Sequence, residues 1–159
     1  MAKEKQTAEE ELEEDQFDSG STEVLRTHEL INSRYSGDLD EIKDGFARVS
    51  LITNEDMRVD SQGLVHGGFI FCAADHAAMA AVNDPNVVLA SSSSTFLSPA
   101  RVGDQIIFEA KVRHKDGRKR EVIVVGHILD IKIYEGSFKA VVLEKHVLKL
   151  NLMHASKSD

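Results

Sequence analysis

Val65-His66-Gly67-Gly68-Phe69-Ile70-Phe71-Cys72-Ala73-Ala74-Asp75-His76-Ala77-Ala78-Met79-Ala80-Ala81-Val82-Asn83 is the stretch around which the chain is organised. It reads as one apolar, alanine-rich helix opened by a His-Gly-Gly turn. Within it, His66, Asp75 and His76 are nearly the only polar side chains. A carboxylate in so apolar a helix is costly to bury unless something pairs with it or uses it. The two glycines leave the backbone bare where the first amides of a helix have no intrahelical acceptor. Amide donors at one end and a carboxylate further along point to a site.

On the N-terminal side, residues 1–21 carry eight acidic and two basic residues and no periodic apolar face. They read as a solvated acidic tail. From residue 22 to about 35, Val24, Ile31 and Tyr35 share a helical stripe, which predicts a short amphipathic helix ended by Ser36-Gly37-Asp38. A strand is expected from Asp44-Gly45 through Phe46, Val49 and Leu51. Residues 54–65 read as a loop carrying Asp60 and Gly63.

On the C-terminal side everything reads as β. Asn83-Asp84-Pro85-Asn86 is a turn, and residues 87–97 form a strand closed by Ser98-Pro99. Residues 105–114 alternate, with Lys115-Asp116-Gly117-Arg118 as a hairpin turn. Residues 121–134 form a further run, Glu135-Gly136-Ser137 turns, and residues 138–152 close the sheet, leaving 153–159 frayed. The expected architecture is α+β: one long helix wrapped by a curved antiparallel sheet in a single domain over residues 22–152. The alanines at 73, 77, 80 and 81 fit it, because small side chains let a sheet approach closely.

Composition narrows the function classes. The chain has 159 residues and a net charge of −8, most of it in the tail, which argues against nucleic acid as a partner. The single cysteine, Cys72, makes no internal disulfide and is expected in the core. The opening Met-Ala-Lys-Glu-Lys lacks a secretory signal pattern, and no stretch makes a good membrane span. Cytosol is the expected compartment. His28, His66, His76, His114, His127, His146 and His154 have no metal-ligand spacing, so neither a metal nor a resident cofactor is expected.

The order of elements resembles the hotdog fold. His66-Gly67-Gly68, Ala74-Asp75 and Asn83, with Phe96-Leu97-Ser98-Pro99 and Gly103-Asp104 later, resemble the acyl-CoA thioesterases of the phenylacetate-pathway and 4-hydroxybenzoyl-CoA type. The resemblance covers roughly residues 40–150. It implies that the Gly67 amide polarises the thioester carbonyl, helped by the helix dipole. It implies that Asp75 acts as nucleophile or as general base on water. Gly67 and Asp75 lie eight residues apart, about 12 Å along one helix, too far to touch one carbonyl. The resemblance therefore implies a homodimer, with a tetramer left open, in which one subunit's Gly67 meets the other's Asp75. His66 and Gly68 join the expected substrate-binding set, and coenzyme A enters as part of the ligand.

Two positions depart from the family pattern. Asp60 stands where the family often has an Asn, and an ionised carboxylate cannot donate. A water-holding Ser or Thr is expected near Leu89, where Ser91 is the nearest substitute. Arg118 and Lys119, in a basic hairpin, are candidates for the coenzyme A phosphates, which such charges recognise. The departures leave two functions open. One is an acyl-CoA thioesterase. The other is a non-catalytic acyl-CoA binder or sensor, like the malonyl-CoA-sensing domain of a bacterial lipid-synthesis repressor or a flagella-co-regulated virulence factor of Campylobacter-like bacteria. Hotdog hydratase chemistry is set aside, because no Asn-Pro-x-His element is present.

Overall fold

Six antiparallel strands curve around one long helix, the hotdog arrangement expected from the sequence. The computed structural model describes residues 22–150. The expected acidic tail over 1–21 and the frayed end over 153–159 lie outside the described residues. The elements are α1 (Ser33–Ser36), β1 (Asp38–Lys43), β2 (Phe46–Ile52), α2 (Gly67–Val82), β3 (Val87–Phe96), β4 (Gln105–Asp116), β5 (Lys119–Ile128) and β6 (Ile131–Val142). The sheet runs β1-β2-β4-β5-β6-β3, so β1 and β3 are its edges.

The alanines explain how α2 beds into the sheet. Ala73, Ala74, Ala77, Ala78 and Ala80 have no exposed surface, and the helix packs chiefly on β2, β4 and β5. Those strands alternate as a half-buried sheet must. Ala47 pairs with Ala110, Val49 with Phe108 and Leu51 with Ile106, and all six are fully buried. At its end α2 stops on Asn83, in the left-handed region at φ 51°, whose N–H bonds Met79 O. Asparagine tolerates that conformation better than most residues.

Asn83 also explains why the helix expected over 22–35 is not there. Its Oδ1 accepts from Arg26 N at 2.7 Å and its Nδ2 donates to Val24 O at 2.9 Å. Glu23 N donates to Ile42 O at 3.0 Å. These bonds hold residues 22–32 as an irregular strap with His28 at φ 53°, leaving only α1 helical. The strand β1 was not expected. It pairs with β2 through the Asp44-Gly45 turn, and a bulge between Leu39 and Glu41 blurs its alternation.

Two turns moved. The expected run over 121–134 is broken by Leu129-Asp130, where Leu129 takes φ 52° without any glycine to announce it. The expected Glu135-Gly136-Ser137 turn lies instead inside β6, because the Tyr134 ring occupies the space over Gly136. The last strand ends at Val142, and a short 3-10 turn, Val147–Lys149, follows.

Candidate functional site

The His-Gly-Gly turn is pinned from two sides. Val65 N donates to Ala100 O at 2.9 Å and His66 N to Met57 O at 2.8 Å. His66 is the N-cap of α2, and its Nδ1 accepts the Gly68 N–H at 2.7 Å. In this geometry Nδ1 carries no proton. A Cβ at Gly68 would lie 2.7 Å from that nitrogen, so the second glycine is what lets the imidazole fold back onto the helix. The Gly68 amide is thereby occupied by His66.

Gly67 is different. Its N–H has no acceptor among the described residues. A Cβ there would make only ordinary contact, 3.5 Å from the Phe96 ring. Phe96 and Leu97 beside it are 49% and 46% exposed, an apolar surface next to a free amide at the positive end of a helix dipole.

Two turns further along α2, Asp75 sits half-buried with Oδ1 out of contact with water and without a hydrogen-bond partner among the described residues. Desolvation pushes its pKa from 3.8 up to about 6. Its charge reaches two neighbours. The Cys72 thiol is pushed up by burial and then by Asp75. The Tyr134 phenol is also pushed up by burial, with Asp75 adding to the rise and the hydrogen bond it shares with Ser94 opposing it. A carboxylate poised near neutrality and without a partner can accept a proton from a bound molecule.

The remaining candidates are scattered. Asp60 is exposed and shapes its own loop, its Oδ1 accepting from Gln62 N at 2.9 Å and Leu64 N at 3.2 Å. Ser91, at a bulge in β3 opposite Lys139, lines a cavity of about 280 Å³ with Lys119 and Arg120, and no α2 residue borders it. Arg118 is not part of that cavity and pairs with Glu144. Leu89 is half-buried opposite Ala140. Contrary to expectation, Cys72 is exposed, because it lies on the face of α2 that the sheet leaves uncovered. His76, one helical turn further on, is buried beneath α1, its Nδ1 donating to Ser36 O at 2.9 Å. Among the described residues, no helix is long and apolar enough to cross a membrane.

Sequence reasoning missed Tyr134 and its pairing with Ser94. Their hydroxyls lie 2.7 Å apart within reach of the Asp75 charge. The signal that could have found them is Gly136 interrupting a strong β run two residues after a tyrosine.

Residues 62–129 match the sequence profile described as Thioesterase superfamily. A methylthioribose-1-phosphate isomerase from Aquifex aeolicus is 49% identical over 119 residues, which is 75% of this chain and 26% of that protein. A transcription factor FapR from Caldanaerobacter subterraneus is 25% identical over 121 residues, 76% of this chain and 60% of that protein. The chain thus spans a quarter to three fifths of the length of these two relatives. Among solved structures, a protein from Pyrococcus horikoshii is 44% identical with a TM-score of 0.80, covering 80% of this chain and 98% of that one. A sigma28-regulated virulence protein from Campylobacter jejuni is 36% identical with a TM-score of 0.75, covering 79% and 89%. A Streptococcus mutans protein bound to acetyl CoA shares the fold at 22% identity and a TM-score of 0.65, covering 75% and 97%. The profile runs through the His-Gly-Gly turn, α2 and the next three strands, and two relatives above 30% identity share the fold over nearly their whole length: the chain belongs to the hotdog-fold thioesterase superfamily.

Proposed function

We propose that this protein is an acyl-CoA thioesterase whose site is completed at a homodimer interface, with Asp75 as the general base. The observation that carries the reading is Asp75 itself, a carboxylate on an apolar helix with a buried, unpartnered oxygen and a pKa near 6. The helix that bears it opens on the free Gly67 amide. Gly67 and Asp75 are about 12 Å apart along that helix, so two copies with antiparallel α2 helices are needed to put both groups on one thioester. The uncovered face of α2, marked by the exposed Cys72, is where a second copy would lie.

The step balances simply. Water attacks the thioester carbonyl carbon while Asp75 takes one of its protons. The Gly67 N–H donates to the oxygen that gains charge. The C–S bond then breaks, the carboxylic acid leaves, and the coenzyme A thiolate takes the proton back from Asp75. General-base rather than nucleophilic action fits a carboxylate whose pKa has been raised, since basicity is what burial increases. Ser91 and Lys119 mark a cavity suited to the polar end of coenzyme A, while Arg118 is engaged with Glu144. Asp60 shapes the loop before the His-Gly-Gly turn rather than donating to the substrate.

A second reading has one observation in its favour. Asp60 is already committed to two loop amides and offers no donor to a thioester. A site lacking that donor binds acyl-CoA and turns it over poorly. Similarity to a transcription factor and to a sigma28-regulated virulence protein suits such a regulatory binder. One experiment separates the two. The purified protein is incubated with acyl-CoAs of increasing chain length and free thiol is followed, with Asp75→Asn in parallel. Thiol release that Asp75→Asn abolishes supports the enzyme. Binding without release supports the sensor. Release that survives Asp75→Asn removes Asp75 from the site. A monomeric mass in solution overturns the shared site.

A further inference from the structure

The net charge of −8 hides a separation of charge along the chain. Residues 1–21, with eight acidic and two basic residues, account for −6 of it, which leaves residues 22–159 nearly balanced at −2. Within that balanced part six cations are gathered around one hairpin. They are Lys111, Arg113 and Lys115 on β4, Lys119 and Arg120 on β5, and Lys139 beside them on β6. None of the six makes an ion pair among the described residues, whereas Arg118 in the same hairpin is neutralised by Glu144. Asp44, Asp116 and Glu121 are the carboxylates set among them, so six cations against three carboxylates leave this surface at +3.

Strand pairing makes these residues one surface. Asp116 pairs with Lys119 across β4 and β5, and Glu121 with Lys139 across β5 and β6. Lys111, Glu121 and Lys139 alternate with Ala110, Val122 and Ala140, which are buried, so they stand on the outer face of the sheet. Five of the six cations are exposed, and Arg120 is half-buried. A cavity of about 280 Å³ is set among them, lined in part by Ser91, His114, Lys119, Arg120 and Lys139.

The acidic segment joins the fold beside this surface. Glu23 N donates to Ile42 O at 3.0 Å, near the end of β1. Gly45, in the turn that follows, accepts from Val112 N at 2.8 Å through its carbonyl oxygen. Lys43 pairs with Phe46, and Phe46 with Lys111. Residue 22 therefore leaves the fold three strand spacings, about 15 Å, from Lys111. The eight residues from Glu14 to Thr22 span up to about 26 Å, so Glu14 and the glutamates before it reach the hairpin. Being tethered, they meet it at an effective concentration on the order of mM.

We infer that the acidic segment, residues 1–21, docks on the β4–β5 hairpin of its own chain and screens that surface from other anions. One exposed ion pair contributes little, and the contact depends on several made together. In the acyl-CoA reading above, the screened anion is the phosphate end of coenzyme A at the cavity that Ser91 and Lys119 line. The inference rests on that reading for the competitor alone.

The first test is zero-length carbodiimide crosslinking of the full chain at low ionic strength, followed by a denaturing gel and peptide mapping. Crosslinks from Glu9, Glu10, Glu11, Glu13 or Glu14 to Lys111, Lys115, Lys119 or Lys139 are expected in a species of single-chain mass. The variant Lys111→Gln, Arg113→Gln, Lys115→Gln keeps Lys119 and Lys139, and crosslinks to those two should fall about fivefold in it and in about 0.5 M salt, where charges are screened within a few ångströms. The second test measures the Kd of coenzyme A by calorimetry for the wild type and for the variant with Glu9, Glu10, Glu11, Glu13 and Glu14 all changed to Gln. The variant should bind about fivefold tighter at low ionic strength, and the difference should vanish in about 0.5 M salt. All of these substitutions lie outside the core, so the fold is kept. Absence of the crosslinks overturns the inference, as do crosslinks found only between two chains or crosslinks indifferent to salt. Equal Kd values for two proteins that both bind coenzyme A overturn the screening. If the crosslinks form as expected and neither protein binds coenzyme A, the docking stands and the acyl-CoA reading falls.

Discussion

The two ends of the candidate site share one helix and are built in opposite ways. At the N-terminus, His66 caps Gly68, the backbone of 65–66 is tied to neighbouring loops, and the whole turn is complete within one chain. Two turns on, Asp75 has a buried oxygen that nothing among the described residues satisfies. A cap that satisfies an orphan donor adds stability to the fold. An unpartnered buried carboxylate takes stability away. The difference teaches that the amide end is a product of folding, while the carboxylate end is tolerated at a cost that only ligand or subunit contact can offset.

The comparison breaks most sharply at Asp75. Asp75→Asn is expected to lower thioester hydrolysis by about 10²–10⁴-fold, the usual worth of a positioned general base. The same substitution should stabilise the fold at neutral pH. The folded pKa, about 6, lies above the unfolded value of 3.8, so the native state favours the protonated form. Stability linked to this group is complete below about pH 4, is lost as pH rises towards 6, and stays lost above it. A shift of this size corresponds to about 2–3 kcal/mol at pH 7. Urea midpoints of the two proteins should therefore differ at pH 7 and converge at pH 4. Equal midpoints at pH 7 would show that Asp75 is not strained in the folded state.

The pH dependence of activity sharpens the same point. With Asp75 as the base, kcat/KM should fall about tenfold per unit below an apparent pKa near 6, and Asp75→Asn should lose that limb along with the rate. An acid limb near 4 would mean that the carboxylate is solvated in the working enzyme.

How much of this was legible beforehand follows from which forces act locally. α2 was readable because its capping, glycines and alanine run lie within one short stretch. The hairpin at Gly117 was readable for the same reason. The strap over 22–32 was not, because its conformation is imposed by Asn83, some 57 residues away from Arg26. The turn at Leu129 was hidden because a leucine in the left-handed region carries no sequence signal. Gly136 misled in the other direction, since a glycine that accommodates a ring looks like one that makes a turn. At the site, Gly67 and Asp75 could be singled out from an apolar background. The pairing of Ser94 with Tyr134 could not, because forty residues separate two strands that the sheet makes neighbours.

The amide end can be probed by its two glycines, which the structure separates. Gly68→Ala places a Cβ against His66 Nδ1 and removes the cap, costing about 1 kcal/mol of stability. Gly67→Ala makes only ordinary contact with Phe96, so the fold should hold with its melting temperature nearly unchanged. Its methyl group nevertheless crowds the free amide, and turnover should drop about tenfold, the scale of a partly blocked oxyanion donor. Thermal melts and initial rates on both variants check the pair. If Gly67→Ala destabilises more than Gly68→Ala, the two glycines have been given each other's roles.

The smallest effect is expected outside α2, at Asp60. Its Oδ1 accepts from the backbone of Gln62 and Leu64, and an asparagine oxygen can accept the same two bonds. Asp60→Asn should therefore change stability by less than about 0.5 kcal/mol, as exposed substitutions usually do. The new amide also supplies the donor that the family pattern has at this position. If that donor can reach the thioester from this loop, hydrolysis should rise while acyl-CoA binding stays constant. If the loop holds the side chain as it holds Asp60 now, the rate should stay within about twofold of wild type, because no transition-state contact has been added. The loop bonds favour the second outcome. A large gain would show that Asp60 turns towards the substrate when one is bound, and that this residue restrains the turnover Asp75 can support.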